Sequence, residues 1–182
     1  MHPECDILGV DINEPIVGRG NEILRAKGLA NCSLETGDLY DLPGRFRSRF
    51  DRVICFETLS WLPYDVKPLE AIVDLNAPWI APTSLFYSRR MSCAIEVTEH
   101  GEVLSPSQKS FCNIYSLPVL KRHVLCAGYT AFDFQEFNIY IDLRPPPSGL
   151  MRTHNRRMRD GQRLQVSGPL LMPWHFVSAG KS

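Results

Sequence analysis

Cys5-Asp-Ile-Leu-Gly-Val-Asp-Ile-Asn-Glu-Pro15 is the stretch that decides how this chain folds. Ile7, Leu8 and Val10 make a short apolar run, and Gly9 leaves room for a close neighbour, so Ile7–Ile12 reads as a buried strand. Asp11 breaks the run at the strand's C-terminal end. Asn13 suits a helix N-cap and Pro15 a first helical turn, which predicts a strand turning straight into a helix. In an open α/β sheet, ligands bind outside the carboxyl ends of the strands. A carboxylate at such an end can accept two hydrogen bonds from a vicinal diol, the arrangement that a nucleotide ribose offers. The plainer reading of Asp11 is a helix cap, and this stretch alone favours it slightly.

Working outward, residues 15–27 fit a helix with Ile16, Gly20, Ile23, Leu24 and Lys27 on one face and Gly28 just past its end. Gly18-Arg-Gly20 lacks a third glycine and falls inside that helix. It therefore reads as two small residues packing on the sheet, not as a phosphate loop. A second strand, Cys32–Thr36, leads into Gly37-Asp-Leu-Tyr-Asp-Leu-Pro43, where Asp38 and Asp41 suit Asx-type turn capping. The loop runs on through Arg45, Arg47 and Arg49, expected to point to solvent. Phe50-Asp-Arg-Val-Ile-Cys-Phe56 is the clearest strand, its run Val53–Phe56 suited to burial on both faces, and a second acid, Glu57, follows at its end. A helix is predicted around Val66–Leu75, a strand at Ser84–Ser88, a variable loop over 91–113 with a short strand at Ala94–Val97, and a helix over Leu117–Cys126. Phe137–Leu143 alternates with period 2 and predicts an antiparallel strand. Met151–Gln162, with its four arginines, reads as a basic flexible connection, and the last strand falls after Pro173. Alternating strands and helices early in the chain imply a parallel sheet covered on both faces, closed at one edge by an antiparallel hairpin.

The 182 residues suit one domain, 1–182, and 44% hydrophobic residues suffice for a core. Twenty basic and twenty acidic residues cancel, so no global charge points to nucleic acid or an anionic membrane. No apolar run is long enough to span a bilayer, and the N-terminus lacks the n- and h-regions of a signal peptide, so a cytoplasmic location is expected. The six cysteines form no C-x-x-C pair and the five histidines are scattered, so reduced thiols are expected and a metal is not.

Three stretches, Gly9-Val-Asp11, Gly37-Asp-Leu-Tyr-Asp-Leu-Pro43 and Phe50-Asp-Arg-Val-Ile-Cys-Phe-Glu-Thr-Leu59, resemble consecutive motifs of the class I S-adenosylmethionine-dependent methyltransferases of the small-molecule type. The tail is similar too, with a helix ending at Leu-Cys-Ala-Gly128-Tyr and a strand closing on Trp174-His-Phe-Val177. The resemblance implies an α/β, Rossmann-like methyltransferase sheet, S-adenosylmethionine as cofactor and a small-molecule methyl acceptor. It implies that Asp11 binds the cofactor's ribose hydroxyls and Ile12 packs on its adenine. Asp38 would accept from the adenine amino group and Leu39 would flank the ring. Phe56 and Glu57 would face the methionine part, with Glu57 the candidate catalytic base. Trp61 and Leu62 stand where such proteins often carry a histidine.

The departure from the family is its glycine-rich loop. In the family that loop follows a first strand lying between those placed here at Ile7–Ile12 and Phe50–Phe56, and no G-x-G-x-G occurs in this sequence. The resemblance thus implies a domain with its first strand and helix missing, an N-terminally incomplete form that could be inactive as it stands. Two alternatives stand beside it. One is a non-catalytic methyltransferase-like remnant that binds a partner protein, with a homodimer filling the vacant groove. The other is an NAD-dependent Rossmann oxidoreductase, although no Tyr-x-x-x-Lys constellation supports it. The segments 91–113 and 145–163 are expected to shape the acceptor pocket, with Tyr87, Arg89, Arg90 and Tyr115 as candidate lining.

Overall fold

The computed structural model describes residues 5–63, 66–99, 108–145 and 152–181. The chain starts with the expected order, β1 (Ile7–Asp11), α1 (Glu14–Ala26) and β2 (Cys32–Thr36), but β1 is not the buried strand expected: Ile7 is exposed and Leu8, Gly9 and Val10 are half-buried. β1 and β2 pair in parallel, Ile7 opposite Cys32 and Asp11 opposite Thr36. Asn13 caps α1 by accepting from the Ile16 N–H at 3.1 Å, Pro15 sits in its first turn, and Gly28 ends it at φ +66°. The face of α1 differs from the predicted one. Val17 is its buried residue, while Ile16 and Ile23 are exposed. Gly20 packs as expected: a Cβ there would meet Leu34 Cδ1 at 2.2 Å, and one at Gly9 would meet Leu34 Cδ2 at 2.5 Å. Leu34 therefore fills the space that both glycines leave. Gly18 packs on nothing, its missing Cβ facing open space.

The chain crosses from this unit to the rest through a short 3-10 turn at Leu39–Asp41 and a one-turn helix α2 (Leu42–Phe46), where a loop was expected. Arg45 is exposed but engaged, meeting Glu35 at 2.7 Å and lying 4.7 Å over the Phe46 ring. Then follow β3 (Arg52–Cys55), α3 (Lys67–Asp74) and β4 (Trp79–Tyr87). β4 begins well before the predicted Ser84 because Pro82 is tolerated within it. Pro82 opposes Cys55 in the parallel pair with β3. On the other side, β4's ladder with β11 (Trp174–Gly180) lapses between Thr83 and Ile80, where Pro82 has no N–H to give.

The second sheet runs β3-β4-β11-β8, where β8 is Ala131–Phe137, and β7 (Ile114–Ser116) also pairs with the end of β4. β11 is antiparallel to both neighbours and sits inside the sheet, so the expected antiparallel closure is present with β8 as the edge. The predicted strand at Phe137–Leu143 is corrected. The strand is Ala131–Phe137, and the residues from Asn138 leave the sheet. α4 (Leu117–Cys126) falls where predicted, capped by Ser116 Oγ and ended near Gly128 at φ +86°. Leu69 and Ile72 of α3, with Leu117, Leu120 and Val124 of α4, cover one face of this sheet and make the main core with Leu59, Ile80 and Val177.

Two antiparallel strand pairs were not read from the sequence. The short strand expected at Ala94–Val97 lies two residues later as β5 (Glu96–Glu99) and pairs with β6 (Gln108–Phe111), the expected loop over 91–113 otherwise lying partly outside the described residues. β9 (His154–Arg157) pairs with β10 (Arg163–Val166) where a flexible basic connection was expected, and Asp160-Gly161 makes its turn. Pro146 and Pro147 lie outside the described residues.

β3 does not have the burial on both faces that its sequence predicted. Ile54 is 54% exposed, and with Phe56, Phe134 and Phe176 it lines a shallow groove of about 280 Å³ on the uncovered face of the second sheet. Among the described residues β1 pairs only with β2, and β3 only with β4.

Candidate functional site

Three acids follow the C-terminal ends of three parallel strands. β1 ends on Asp11 and β2 on Thr36, side by side. Gly37 then donates its N–H to the Asp11 carbonyl at 3.0 Å, and a Cβ there would stand 2.9 Å from Val10 Cγ1, so only glycine makes this seam. The seam brings Asp38 next to the end of β1. Asp11 is exposed, and its Oδ1 accepts from the Asn13 N–H at 2.8 Å. Ile12 beside it is 71% exposed. Asp38 is half-buried, and its Oδ1 accepts from the Tyr40 N–H at 3.0 Å, the Asx-type cap expected of it. Asp41 makes no such cap. Leu39 is half-buried and packs against the main core.

Phe56 and Glu57 lie at the end of β3, in the other sheet. Phe56 is 63% exposed on the groove. Glu57 is exposed and has φ +51°, a left-handed backbone that costs a non-glycine residue about 1–3 kcal/mol and persists only where its surroundings fix it. Its N–H donates to Thr83 Oγ1 at 2.9 Å. Just before it, burial pushes the Cys55 thiol up to about 11, so this cysteine is neutral and packs as an apolar group.

The turn after Glu57 carries polar residues that sequence reasoning missed. Ser60 and Ser84 share a buried hydroxyl–hydroxyl bond of 2.6 Å. Asn113, 1% exposed, donates from Nδ2 to the Leu62 carbonyl, accepts from the Ile95 N–H at 3.2 Å, and gives its own N–H to Ser60 O at 2.8 Å. Tyr115 was a candidate for the acceptor pocket, but it is 1% exposed and its hydroxyl donates to Leu59 O at 2.7 Å, so it braces the same turn. Tyr87, Arg89 and Arg90 are exposed. Residues 113–115 are thereby fastened onto the turn that carries Glu57. The signal available in the sequence was the pair Thr83-Ser84, two hydroxyls in the middle of an otherwise apolar strand. Among the described residues no three His, Cys, Asp or Glu side chains gather to hold a metal ion, and the cysteines are free thiols.

A family model described as a methyltransferase domain matches residues 1–100, more than half of the chain. The chain belongs to this family of methyltransferase domains. Its fold agrees with that membership. YcgJ from Bacillus subtilis superposes on 96% of the chain with a TM-score of 0.60 at 14% identity, over 81% of its own length. The N-terminal domain of EvdMO1, crystallised with S-adenosylhomocysteine and D-fucose, superposes on 97% with a TM-score of 0.55 at 15% identity. The 1,6-didemethyltoxoflavin-N1-methyltransferase of Burkholderia thailandensis, with bound S-adenosylhomocysteine, gives 0.54 at 14% identity. In sequence, the uncharacterised protein RP789 of Rickettsia prowazekii is 30% identical over 67 residues. The methyltransferase domain described here spans 12% of that protein's length and 66% of the EvdMO1 domain's. The class I likeness read from the three motifs is therefore borne out, as is the mostly parallel α/β sheet with its antiparallel closure. No helix among the described residues is long and apolar enough to cross a membrane.

Proposed function

We infer that this chain is an S-adenosylmethionine-dependent methyltransferase domain acting on a small molecule, with Asp11 and Asp38 holding the nucleoside half of the cofactor. The observation that carries this reading is the seam at Gly37, which sets two carboxylates at neighbouring strand ends next to the exposed Ile12. The donor set fits a nucleoside. Asp11 has a carboxylate in solvent for a ribose diol, Ile12 and Leu39 offer apolar surface to a purine, and Asp38 can accept from its amino group. S-adenosylmethionine supplies, when bound, a methyl group on a sulfonium that an in-line nucleophile can take. The chain's own part is to position the reactants, which is where most of the rate of such a transfer arises. Phe56 faces the methionine side, and Glu57 accepts a proton from an acceptor that must lose one. The segment between β4 and α4 forms the acceptor wall.

Calorimetric titration of the 182-residue chain with S-adenosylhomocysteine tests this. Micromolar binding is expected, roughly −8 kcal/mol. Asp11→Ala should weaken it about 10- to 100-fold, as loss of charged hydrogen bonds does, while Glu22→Ala on the outer side of α1 leaves it unchanged. A folded chain that takes up no ligand refutes the reading. A second reading, a non-catalytic module for a protein partner, is favoured by the uncovered apolar groove at Ile54, Phe56, Phe134 and Phe176. Under that reading Asp11→Ala changes nothing that the chain binds.

A further inference from the structure

The turn that follows β3 is bolted to β4 at two points by consecutive hydroxyls. Thr83 Oγ1 accepts the Glu57 N–H at 2.9 Å, and Ser84 Oγ meets Ser60 Oγ at 2.6 Å. The two bonds lie on opposite faces of the sheet. Thr83 lines the open groove, whereas Ser84 is fully buried. They do different work. The serine pair closes a dry polar contact where the turn enters the core. Among the described residues the threonine is the one side chain bonded to the backbone of Glu57, and Glu57 is the residue with φ +51°. An unbranched acid does not hold a left-handed conformation by itself. A hydrogen bond given by its own N–H anchors the peptide plane before it, and with the following turn tied down at Ser60 the backbone between the two anchors is held at that φ. Thr83 is well suited to the task, being 5% exposed and β-branched in a strand, so that its hydroxyl has little freedom.

We propose that Thr83 is a positioning residue, whose hydroxyl fixes the left-handed backbone of Glu57 and thereby sets the carboxylate toward the cofactor and acceptor. This rests on Glu57 facing the methionine side of the site. Nothing in the sequence motifs marks Thr83, which lies 26 residues after Glu57 on another strand. The role belongs to the hydroxyl and not to the side chain's bulk, which separates it from ordinary packing.

Two measurements on the full chain decide it. The first is amide hydrogen exchange at Glu57. Thr83→Val keeps the shape and loses the acceptor, and exchange should quicken about tenfold, the worth of one ordinary hydrogen bond. Thr83→Ser should restore protection. The second is S-adenosylhomocysteine affinity. Thr83→Val should weaken it about tenfold in the presence of Glu57 and leave it unchanged in Glu57→Gly, where a left-handed backbone needs no support. Thr83→Ser should bind as the unaltered chain does. Equal exchange at Glu57 in the unaltered chain and Thr83→Val overturns the proposal. So does an affinity loss of equal size with Glu57 and with Gly at that position, since Thr83 would then act through something else. An unaltered chain that binds no S-adenosylhomocysteine overturns instead the reading of the site, and the exchange measurement separates the two failures.

Discussion

Replacing Asn113 by alanine tests how firmly residues 93–95 and 112–115 are keyed to the turn that follows β3. The side chain is buried and spans two partners, the Leu62 carbonyl on the Glu57 turn and the Ile95 N–H next to β5, for which no other bond is found among the described residues. Alanine leaves both unpaired. A buried group that loses its partner costs about 1–3 kcal/mol, and because both partners are only partly buried the lower end applies to each. With the space left by the amide, the expected loss is roughly 2–4 kcal/mol. Urea denaturation followed by near-ultraviolet absorption reads it as a lowered midpoint. Asn113→Asp sharpens the test. The carboxylate still accepts from Ile95, but it faces the Leu62 carbonyl without a proton to give. Protonation restores the donor, so the folded state raises this group's pKa above its unfolded value of about 3.9. The stability is then present below that value and lost as pH rises through the folded pKa. Asn113→Asp should therefore be weaker than Asn113→Ala at pH 7 and recover on acidification. A loss below about 1 kcal/mol in the alanine variant, or an aspartate variant indifferent to pH, refutes the picture of a keyed turn.

Other outcomes follow from the packing. Gly20→Ala should cost about 1–3 kcal/mol, because Leu34 cannot retreat from it without meeting Gly9. Gly18→Ala, in the same helix but facing open space, should gain about 0.5–1 kcal/mol; thermal melts that move alike would disprove the seating of Leu34. The buried Cys55 thiol has its pKa raised to about 11, so its contribution is intact below about pH 9 and fades as pH rises toward 11. The stability of the unaltered chain should fall by about 2–3 kcal/mol relative to Cys55→Ala over that window, and parallel pH profiles would contradict the burial.

The N-terminal half was legible because its signals are local. Asn13, Pro15 and Gly28 bracket α1 by cap chemistry that involves only near neighbours in sequence, and Gly37 marks a seam that any side chain would block. α4 was legible for the same reason. What failed depended on distant partners. The alternation of Phe137–Leu143 is real, but the choice between it and Ala131–Phe137 is made by β11, some forty residues later. Val53–Phe56 reads as doubly buried, and whether its second face is covered is decided by other parts of the fold. For the site, the acids at strand ends could be seen, whereas Thr83-Ser84 showed only as two hydroxyls in an apolar strand and their partners on the Glu57 turn could not be read. Thr83 and Ser60 gain their roles from strand register and from the handedness of one backbone angle, neither of which a one-dimensional pattern carries.

The place of β11 has a consequence for how the chain is made. It lies between β4 and β8, joined to strands that begin about 95 and 43 residues earlier. β1, α1 and β2 need only neighbours within thirty residues and can assemble as soon as they leave the ribosome. The second sheet cannot: until residue 180 has emerged, β4 and β8 have no strand between them, and α3 and α4 rest on an unfinished floor. Pairings so far apart are slow to form, and half-made sheets expose sticky edges while they wait. Synthesis therefore delivers β1, α1 and β2 first and the strand that completes the second sheet last.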